Sequence, residues 1–180
     1  MSETRTQLLT VEQFRELARP TSVHLDEREV NAFIREAEDS FIIPFLGYGN
    51  FKAAAEGILS LWDDSFDDTF TASLLLDGGE WEDSKGVLHY CNGVRKALSY
   101  FTYARMLRAD GSIITRSGNV RHRDEYADHD EDPKRNRYND TMDMAERYLS
   151  ECMAYCKEHK RDKRIRKMVS SRSRIRAIGD

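Results

Sequence analysis

Two long helical patterns, with a polar segment between them, constrain the fold of this chain more than any other feature. Apolar residues recur at helical spacing over residues 86–109 and again over residues 132–159. Segments longer than about 12–15 residues without secondary structure are uncommon in compact domains and are usually functional or disordered. The sequence therefore predicts an all-α helical bundle with two long antiparallel helices and a long inter-helix loop, residues 110–133, that reaches another subunit.

Three shorter helices are predicted before this pair. A capping box begins at Thr10 and marks the start of the first helix. A second helix begins near Asp26, has acidic residues in its first turn, and is expected to break at Pro44. Asn50 is the predicted N-cap of a third helix over residues 51–61.

Residues 62–85 are strongly acidic but also contain bulky apolar side chains. Asp77, Gly78 and Gly79 form a turn signal, so residues 71–76 are either a strand of a small β-hairpin or part of a loop that packs on the helices. The acidic residues lack the alternating ligands, central glycine and final glutamate of a calcium-binding EF-hand loop. We therefore interpret them as a solvated acidic surface.

Composition limits the class of protein. The chain has 180 residues, of which 39% are hydrophobic and 33% are charged, which fits one domain with a small core and a large wetted surface. It has no run of about 18 apolar residues that could span a bilayer, and its first residues lack the order of a signal peptide. The three cysteines, at helical positions, fit synthesis in a reducing cytoplasm.

Charge divides the chain into an acidic body, residues 1–159, and a basic C-terminal arm, residues 160–180. The formal net charge is −4, yet residues 157–180 contain ten Lys or Arg and three Asp or Glu. Such an arm is either a solvated helix end or a contact for nucleic acid or for an acidic protein surface. It contains no aromatic residue, which argues against stacking on single-stranded nucleic acid.

Cys152, Cys156 and His159 follow one face of the second long helical pattern, and with Cys91 they have the residue types of a zinc site. Structural zinc sites usually take their ligands from short knuckles rather than from three positions of one helix. Cysteine is also among the most frequently buried residue types. We therefore interpret the cysteines as small core residues and predict no metal site.

His122 and His129 lie among carboxylates in the long loop, where they suggest a metal or acid–base site as an alternative. No nucleophile or glycine-rich phosphate loop accompanies them in sequence, and a solvated or subunit-contacting loop is favoured. The chain has no GxSxG, HExxH, CxxC or Walker A motif. We predict no catalytic residue, no cofactor and no enzymatic activity.

Several local motifs carry a resemblance to a known family. Residues 97–103 read ALSYFTY, residues 115–120 read TRSGNV and Glu125-Tyr126 follow. Upstream, residues 33–47 read FIREAEDSFIIPFLG, and the last helical pattern ends in CMAYCKEH. Over about residues 7–160 this arrangement resembles the small helical head–tail connector (head-completion, adaptor or neck ring) proteins of tailed bacteriophages, in particular those of Bacteroides phages and crAss-like phages.

The resemblance implies a structural virion protein in the neck between capsid and tail, made in the host bacterial cytoplasm. Such a homo-oligomer forms a ring, commonly dodecameric, between the portal and the tail. It extends the DNA channel, and it serves as a docking adaptor for a tail protein or a second connector. DNA passes through its channel, and it has no membrane partner. The main alternative is a cytoplasmic helical DNA-binding or regulatory protein that uses the basic arm.

The same resemblance suggests which residues make contacts. A wall that attracts DNA strongly would slow ejection, so we favour a protein partner for the arm over DNA in the channel. The residues expected at a subunit or portal interface are Arg116, Asn119, Arg121, Arg123 and Tyr126. The residues expected to make the contacts of the arm are Lys163, Arg164, Arg166, Lys167, Arg172, Arg174 and Arg176.

Overall fold

The computed structural model describes residues 5–21, 26–58, 66–109, 112–115, 118–121 and 131–160. Over these residues the chain is mainly α-helical and carries two small antiparallel β-hairpins, so the mainly-α prediction is confirmed. The elements in chain order are α1 (Val11–Leu17), α2 (Glu27–Ala37), a π-helical turn (Glu38–Ile42), α3 (Ile43–Leu46), α4 (Tyr48–Ala55), α5 (Ala72–Asp77), β1 (Gly79–Glu82), β2 (Leu88–Cys91), α6 (Val94–Ala109), β3 (Ser112–Thr115), β4 (Gly118–Arg121) and α7 (Glu131–Glu158).

The first two helices begin where the sequence predicts. The Thr10 hydroxyl accepts a hydrogen bond from the Gln13 amide (3.3 Å), and the Gln13 side chain accepts one from the Thr10 amide (3.1 Å), which completes the capping box. The Asp26 carboxylate accepts from the Arg28 amide (2.8 Å) at the start of α2. Each cap satisfies amide groups that have no partner inside the helix.

The predicted break at Pro44 is wrong. The chain passes from α2 through the π-helical turn into α3 and ends its helical run only at Gly47, whose φ is 80°. Proline lacks an amide hydrogen, but Pro44 lies in the first turn of α3, where the backbone has no need of that donor. Gly47 ends the run because glycine adopts positive φ without strain.

The predicted cap at Asn50 is also wrong. Asn50 lies inside α4, and its side-chain amide donates to the Leu46 carbonyl (3.2 Å). The helix ends at Ala55 rather than near residue 61, and Gly57 follows it with a φ of 73°. Asparagine is a common N-cap residue, but its presence at position 50 did not predict where this helix begins.

Residues 71–93 differ most from the predictions. Residues 71–76 were expected as a strand or loop, yet Thr71 is the N-cap of α5 and the residues after it form that helix. The hairpin is formed instead by β1 and β2. The helix predicted from residue 86 starts at Val94 instead. The backbones at Gly78 and Gly93 cross so closely that a Cβ on Gly93 would lie 2.5 Å from the Gly78 nitrogen. This crossing separates strand β2 from helix α6.

The core lies between α6 and α7, with α1, α2 and α5 packed around them. The observed α7 agrees with the predicted 132–159 to within one residue at each end. Phe101 of α6 is 1% exposed and stacks on Phe41 with ring centroids 4.0 Å apart. Burial of each such large apolar side chain contributes roughly 1.5–3 kcal/mol. The buried apolar residues of the two helices are Val94, Ala97, Leu98, Phe101, Ala104, Ala145, Tyr148, Leu149, Cys152 and Tyr155.

The segment predicted as a long loop between these helices contains the hairpin of β3 and β4. Ser112 pairs with Arg121 and Thr115 pairs with Gly118 in an antiparallel register. Among the described residues, no helix is long and apolar enough to cross a membrane.

Candidate interaction surfaces

Two of the predicted contact residues lie in β4. Asn119 is the cross-strand partner of Ile114, and Arg121 is the cross-strand partner of Ser112. The hairpin therefore brings these two predicted positions into one short strand between α6 and α7. The other predicted contact residues lie outside the described part of the chain: Arg116, Arg123, Tyr126, Lys163, Arg164, Arg166, Lys167, Arg172, Arg174 and Arg176.

The β1–β2 hairpin has an outer face that no sequence pattern had indicated. The register pairs Glu80 with Tyr90 and Glu82 with Leu88, so these four side chains share one face. Leu88 is 64% exposed and Tyr90 is 60% exposed, and both glutamates are exposed. Val87, just before β2, is 50% exposed, but the alternation of side chains along the strand places it on the face of Trp81 and His89. The outer face is thus an apolar patch lined by two carboxylates.

The inner face of the same hairpin packs on the end of α7. Trp81 stacks on its cross-strand partner His89 with ring centroids 4.6 Å apart. The Trp81 ring also meets the edges of Tyr155 (5.5 Å) and His159 (5.8 Å). These aromatic contacts fix the hairpin to the helix and leave the outer face pointing away from it.

The turn of this hairpin is held by one carboxylate. The Asp83 carboxylate accepts from the amides of Lys85 and Val87, both at 2.9 Å, and lies 3.2 Å from the His89 ring nitrogen Nε2. The Val87 amide and then the His89 ring lower the pKa of Asp83. The Ser84 amide adds a hydrogen bond to the Glu158 carboxylate of α7 (3.0 Å). The outer face is therefore presented on an ordered turn.

The end of α7, from which the basic arm continues, is tied to residues 66–70. Phe66 and Lys160 form an antiparallel bridge, and the Asp67 amide donates to the His159 carbonyl (2.8 Å). The Thr69 hydroxyl lies 2.6 Å from the Asp67 carboxylate and 2.9 Å from His159 Nδ1. These bonds fix the point at which the arm leaves the body.

The protons of this group can be assigned from its geometry. The Thr69 hydroxyl has a single hydrogen and donates it to the Asp67 carboxylate, so it accepts from the N–H at His159 Nδ1. Burial acts to raise the pKa of Asp67, but hydrogen bonds from Thr69 and His159 outweigh it and lower the pKa. His159 Nε2 is buried and has no hydrogen-bond partner among the described residues.

Cys91 and Cys152 lie in the core, as the sequence interpretation expected, and Cys156 is partly buried against it. Cys91 and Cys152 are fully buried, with their Sγ atoms 3.4 Å apart. Their hydrogen bond lowers the pKa of Cys91 and raises that of Cys152, and burial raises the pKa of Cys156 to about 12. In the described part of the chain, no group of three His, Cys, Asp or Glu is arranged to hold a metal ion. His122 and His129 lie outside that part.

A second surface feature is an open groove beside α4. Its cations already have partners: the Arg5 guanidinium lies over the Phe51 ring (5.2 Å) and binds Glu38 (2.8 Å). Lys52 Nζ lies 3.8 Å from the Glu56 carboxylate. The groove is therefore less suited to an anionic ligand than its two cations suggest. Its lining residues are Arg5, Thr6, Tyr48, Phe51, Lys52, Ala55 and Glu56.

The sequence reasoning missed the outer face because it assigned Val87, Leu88 and Tyr90 to a helix. The signals that could have found it are two turns that bracket the strand. One is the sequence DSKG at residues 83–86, and the other is Asn92-Gly93. A short run of apolar and aromatic residues between two turns is typical of a strand rather than of the first turns of a helix.

Comparisons with known proteins place the chain beside one family. A family model described as a family of unknown function (DUF6712) matches residues 42–164, which is more than half of the chain. This range includes the β1–β2 hairpin, both long helices and the segment between them. No curated protein and no solved structure matches.

Proposed function

The chain belongs to the DUF6712 family, whose function is unknown, and we propose that it is a structural virion protein of the head–tail connector type. In this proposal the protein has no enzymatic activity. It forms a ring, dodecameric by analogy, between the portal and the tail. The ring extends the DNA channel and offers a docking surface to a tail protein or a second connector.

The first support is the pairing of α6 and α7, which we take as the antiparallel centre of a helical bundle. Asn92, just before α6, donates to the Glu151 carboxylate (2.7 Å) late in α7. Further along α6, the Tyr100 ring meets the earlier residue Tyr148 of α7 edge-on (5.1 Å). Residue numbers thus rise along α6 as those of their partners fall along α7. Such a pair is a rigid element on which contact segments can be mounted.

The observation that carries the proposal is the position of the contact segments at opposite ends of this pair. The β3–β4 hairpin follows the C-terminal end of α6 and precedes the N-terminal end of α7. The β1–β2 hairpin and the root of the arm adjoin the other two ends, roughly 24 Å away for a 16-residue helix. A ring closed by heterologous contacts needs two different faces on each subunit, and this arrangement offers them.

Within the proposal, the predicted contact residues keep their roles. Arg116, Asn119, Arg121, Arg123 and Tyr126 contact a neighbouring subunit or the portal. The cations of the arm bind an acidic protein surface, because a strongly attractive channel wall would hinder the passage of DNA. The charge difference between body and arm is the reason to expect a protein partner of opposite charge.

Native mass spectrometry tests the proposal. The purified chain is measured alone and mixed with a candidate portal protein. We expect a discrete ring, or a complex of fixed stoichiometry that forms when portal is present, and we expect Asn119→Ala/Arg121→Ala to weaken it. A matched control is Arg147→Ala, which removes a cation of α7 whose side chain is 68% exposed. A chain that ignores portal at all concentrations would refute the proposal.

The second candidate function is DNA binding by the arm, which the ten Lys or Arg of residues 157–180 favour. The affinity of such an arm for duplex DNA would fall steeply between about 50 and 200 mM salt, because each neutralised phosphate releases counterions. Tight binding with that salt slope, retained without portal, would support this second function. Weak binding at both salt concentrations would support the connector.

A further inference from the structure

We propose that the outer face of the β1–β2 hairpin is the docking site for the basic arm, residues 160–180, of a second copy of this chain. The proposal rests on the connector function in one respect, because it names the partner that closes the ring. The contact itself depends on the geometry and charge of the hairpin and on the composition of the arm.

The outer face exposes large apolar side chains to solvent. Leu88 and Tyr90 are 64% and 60% exposed and lie two positions apart on one strand, so their side chains share the outer face. They are two of the five exposed large apolar residues in the described part of the chain, and the two with the largest exposed fractions. Single exposed apolar residues are ordinary, but an adjacent pair on one rigid hairpin face, bordered by carboxylates, indicates an interaction site.

The charges of the hairpin select the class of partner. Glu80 and Glu82 lie across the ladder from Tyr90 and Leu88, so carboxylates border the apolar patch. Residues 79–91 contain three carboxylates and one Lys, which is Lys85 in the turn, so the hairpin is acidic. A segment that combines cations with aliphatic side chains would satisfy both parts of this face.

The basic arm is such a segment. Residues 161–180 contain eight Lys or Arg and two Asp. The same stretch also contains five large apolar residues: Ile165, Met168, Val169, Ile175 and Ile178. The aliphatic residues suit the Leu88–Tyr90 patch, and the cations suit the two glutamates. The partner required by the hairpin is therefore encoded in the same chain.

The arm of a second copy fits better than the arm of the same copy. Within one chain the arm starts beside the inner face, where Trp81 meets His159 (5.8 Å) and Ser84 binds Glu158 (3.0 Å). The side chains of Leu88 and Tyr90 project from the opposite face of the hairpin. Each copy offers one arm and one hairpin, so the contact is heterologous and can close a ring.

Sedimentation velocity on full-length variants tests the contact. In the hairpin variant, Leu88→Thr/Tyr90→Thr, the patch is removed while β-branched residues maintain the strand. In the arm variant, the eight Lys or Arg of residues 161–180 are replaced by Gln. Tyr48→Gln is the matched control, since Tyr48 is 58% exposed on α4. We expect each of the first two variants to weaken self-association at least tenfold and the control to leave it unchanged.

A mixing experiment identifies the arm that occupies the hairpin. The hairpin variant still has an intact arm, and the arm variant still has an intact hairpin. We therefore expect their equimolar mixture to form a one-to-one heterodimer that neither variant forms alone. A wild-type chain that remains monomeric would overturn the proposal, as would a hairpin variant that associates normally. Wild-type association without the mixed heterodimer, or association lost on nuclease treatment, would also overturn it.

Portal binding by the same variants separates this contact from the connector function. Self-association through the hairpin without portal binding retains the arm contact and rejects the connector. Portal-bound rings that form as well with the hairpin variant and the arm variant as with wild type retain the connector and reject the arm contact.

Discussion

Arg5→Ala is expected to destabilise the fold, because it removes one partner of the buried Glu38 carboxylate. Glu38 is fully buried in the π-helical turn after α2. Its carboxylate accepts from the Leu8 amide (2.7 Å) and from the Arg5 guanidinium (2.8 Å). Desolvation raises the pKa of Glu38, although its hydrogen bonds with Leu8 and Arg5 act in the opposite direction.

The size of the destabilisation depends on the hydrogen bonds that the Glu38 carboxylate keeps in the variant. Removal of one partner from a buried ion pair costs about 3–5 kcal/mol, because it leaves a buried charge without compensation. Arg5 is itself 30% exposed and the Leu8 amide remains as a donor, so we expect the lower end, about 3 kcal/mol at pH 7. The variant can avoid a buried charge by protonating Glu38, and the cost of that protonation is an upper limit on the destabilisation. At about 1.4 kcal/mol for each pH unit above a reference pKa of about 4.3, this limit is about 3.7 kcal/mol at pH 7.

The pH dependence has a defined sign. The raised pKa of Glu38 means that its contribution to stability is present below the unfolded pKa and is lost as pH rises through the folded pKa. Loss of Arg5 raises that pKa further and steepens the change. At pH 5 the cost of protonating Glu38 falls to about 1 kcal/mol, so Arg5→Ala should destabilise the protein much less at pH 5 than at pH 7.

Chemical denaturation followed by circular dichroism, at pH 5 and pH 7, measures these differences. The double variant Arg5→Ala/Glu38→Gln should recover most of the lost stability, because the glutamine side chain carries no charge and still accepts from Leu8. Asp39→Asn, which removes the exposed partner of Arg5, should cost less than about 1 kcal/mol and serves as the control. Equal destabilisation by Arg5→Ala at both pH values, with no recovery in the double variant, would refute the reasoning.

Three further predictions concern the glycine crossing, the Tyr155 hydroxyl and the root of the arm. Gly93→Ala should destabilise the fold by at least about 2 kcal/mol, because φ is 84° and the new Cβ would lie 2.5 Å from a backbone nitrogen. Gly49→Ala, in a helix with nothing within 4 Å, should instead stabilise by about 0.5–1 kcal/mol in the same thermal unfolding assay. Tyr155→Phe should cost about 1–3 kcal/mol in denaturant unfolding, because the Thr71 amide loses its acceptor at 2.7 Å; an unchanged midpoint would show that the amide finds another. The pKa of Asp67 is lowered on folding, so its stabilising effect is present above about pH 3.9 and is lost as pH falls through the folded value. Stability curves of wild type and Asp67→Asn should therefore converge in acid, and a constant difference down to about pH 2 would contradict this.

Long-range periodicity was the most reliable guide to the fold. The stripe that ends in Cys152, Met153 and Cys156 predicted α7 to within one residue at each end, because a 28-residue helix repeats its pattern many times. The capping box at Thr10 was equally clear, since both of its hydrogen bonds are local and need no tertiary partner.

Short elements were not predictable in this way. Residues 71–76 and 86–91 each allow helix or strand, and the periodicity of so few residues does not separate the two. The choice depends on the crossing of Gly78 and Gly93 and on the packing of Trp81 against Tyr155. Partners so far apart in sequence leave no local signal.

The sequence alone determined the bounds of α7, where the first two helices begin, and that a cationic arm follows an acidic body. These properties depend on periodicity, local hydrogen bonds and composition, all of which are contained in short stretches of chain. The tertiary structure decided which apolar residues stay exposed. Leu88 and Tyr90 face solvent while Trp81 and Cys91 face the core, because a strand alternates its side chains and the packing of α7 determines which face is covered.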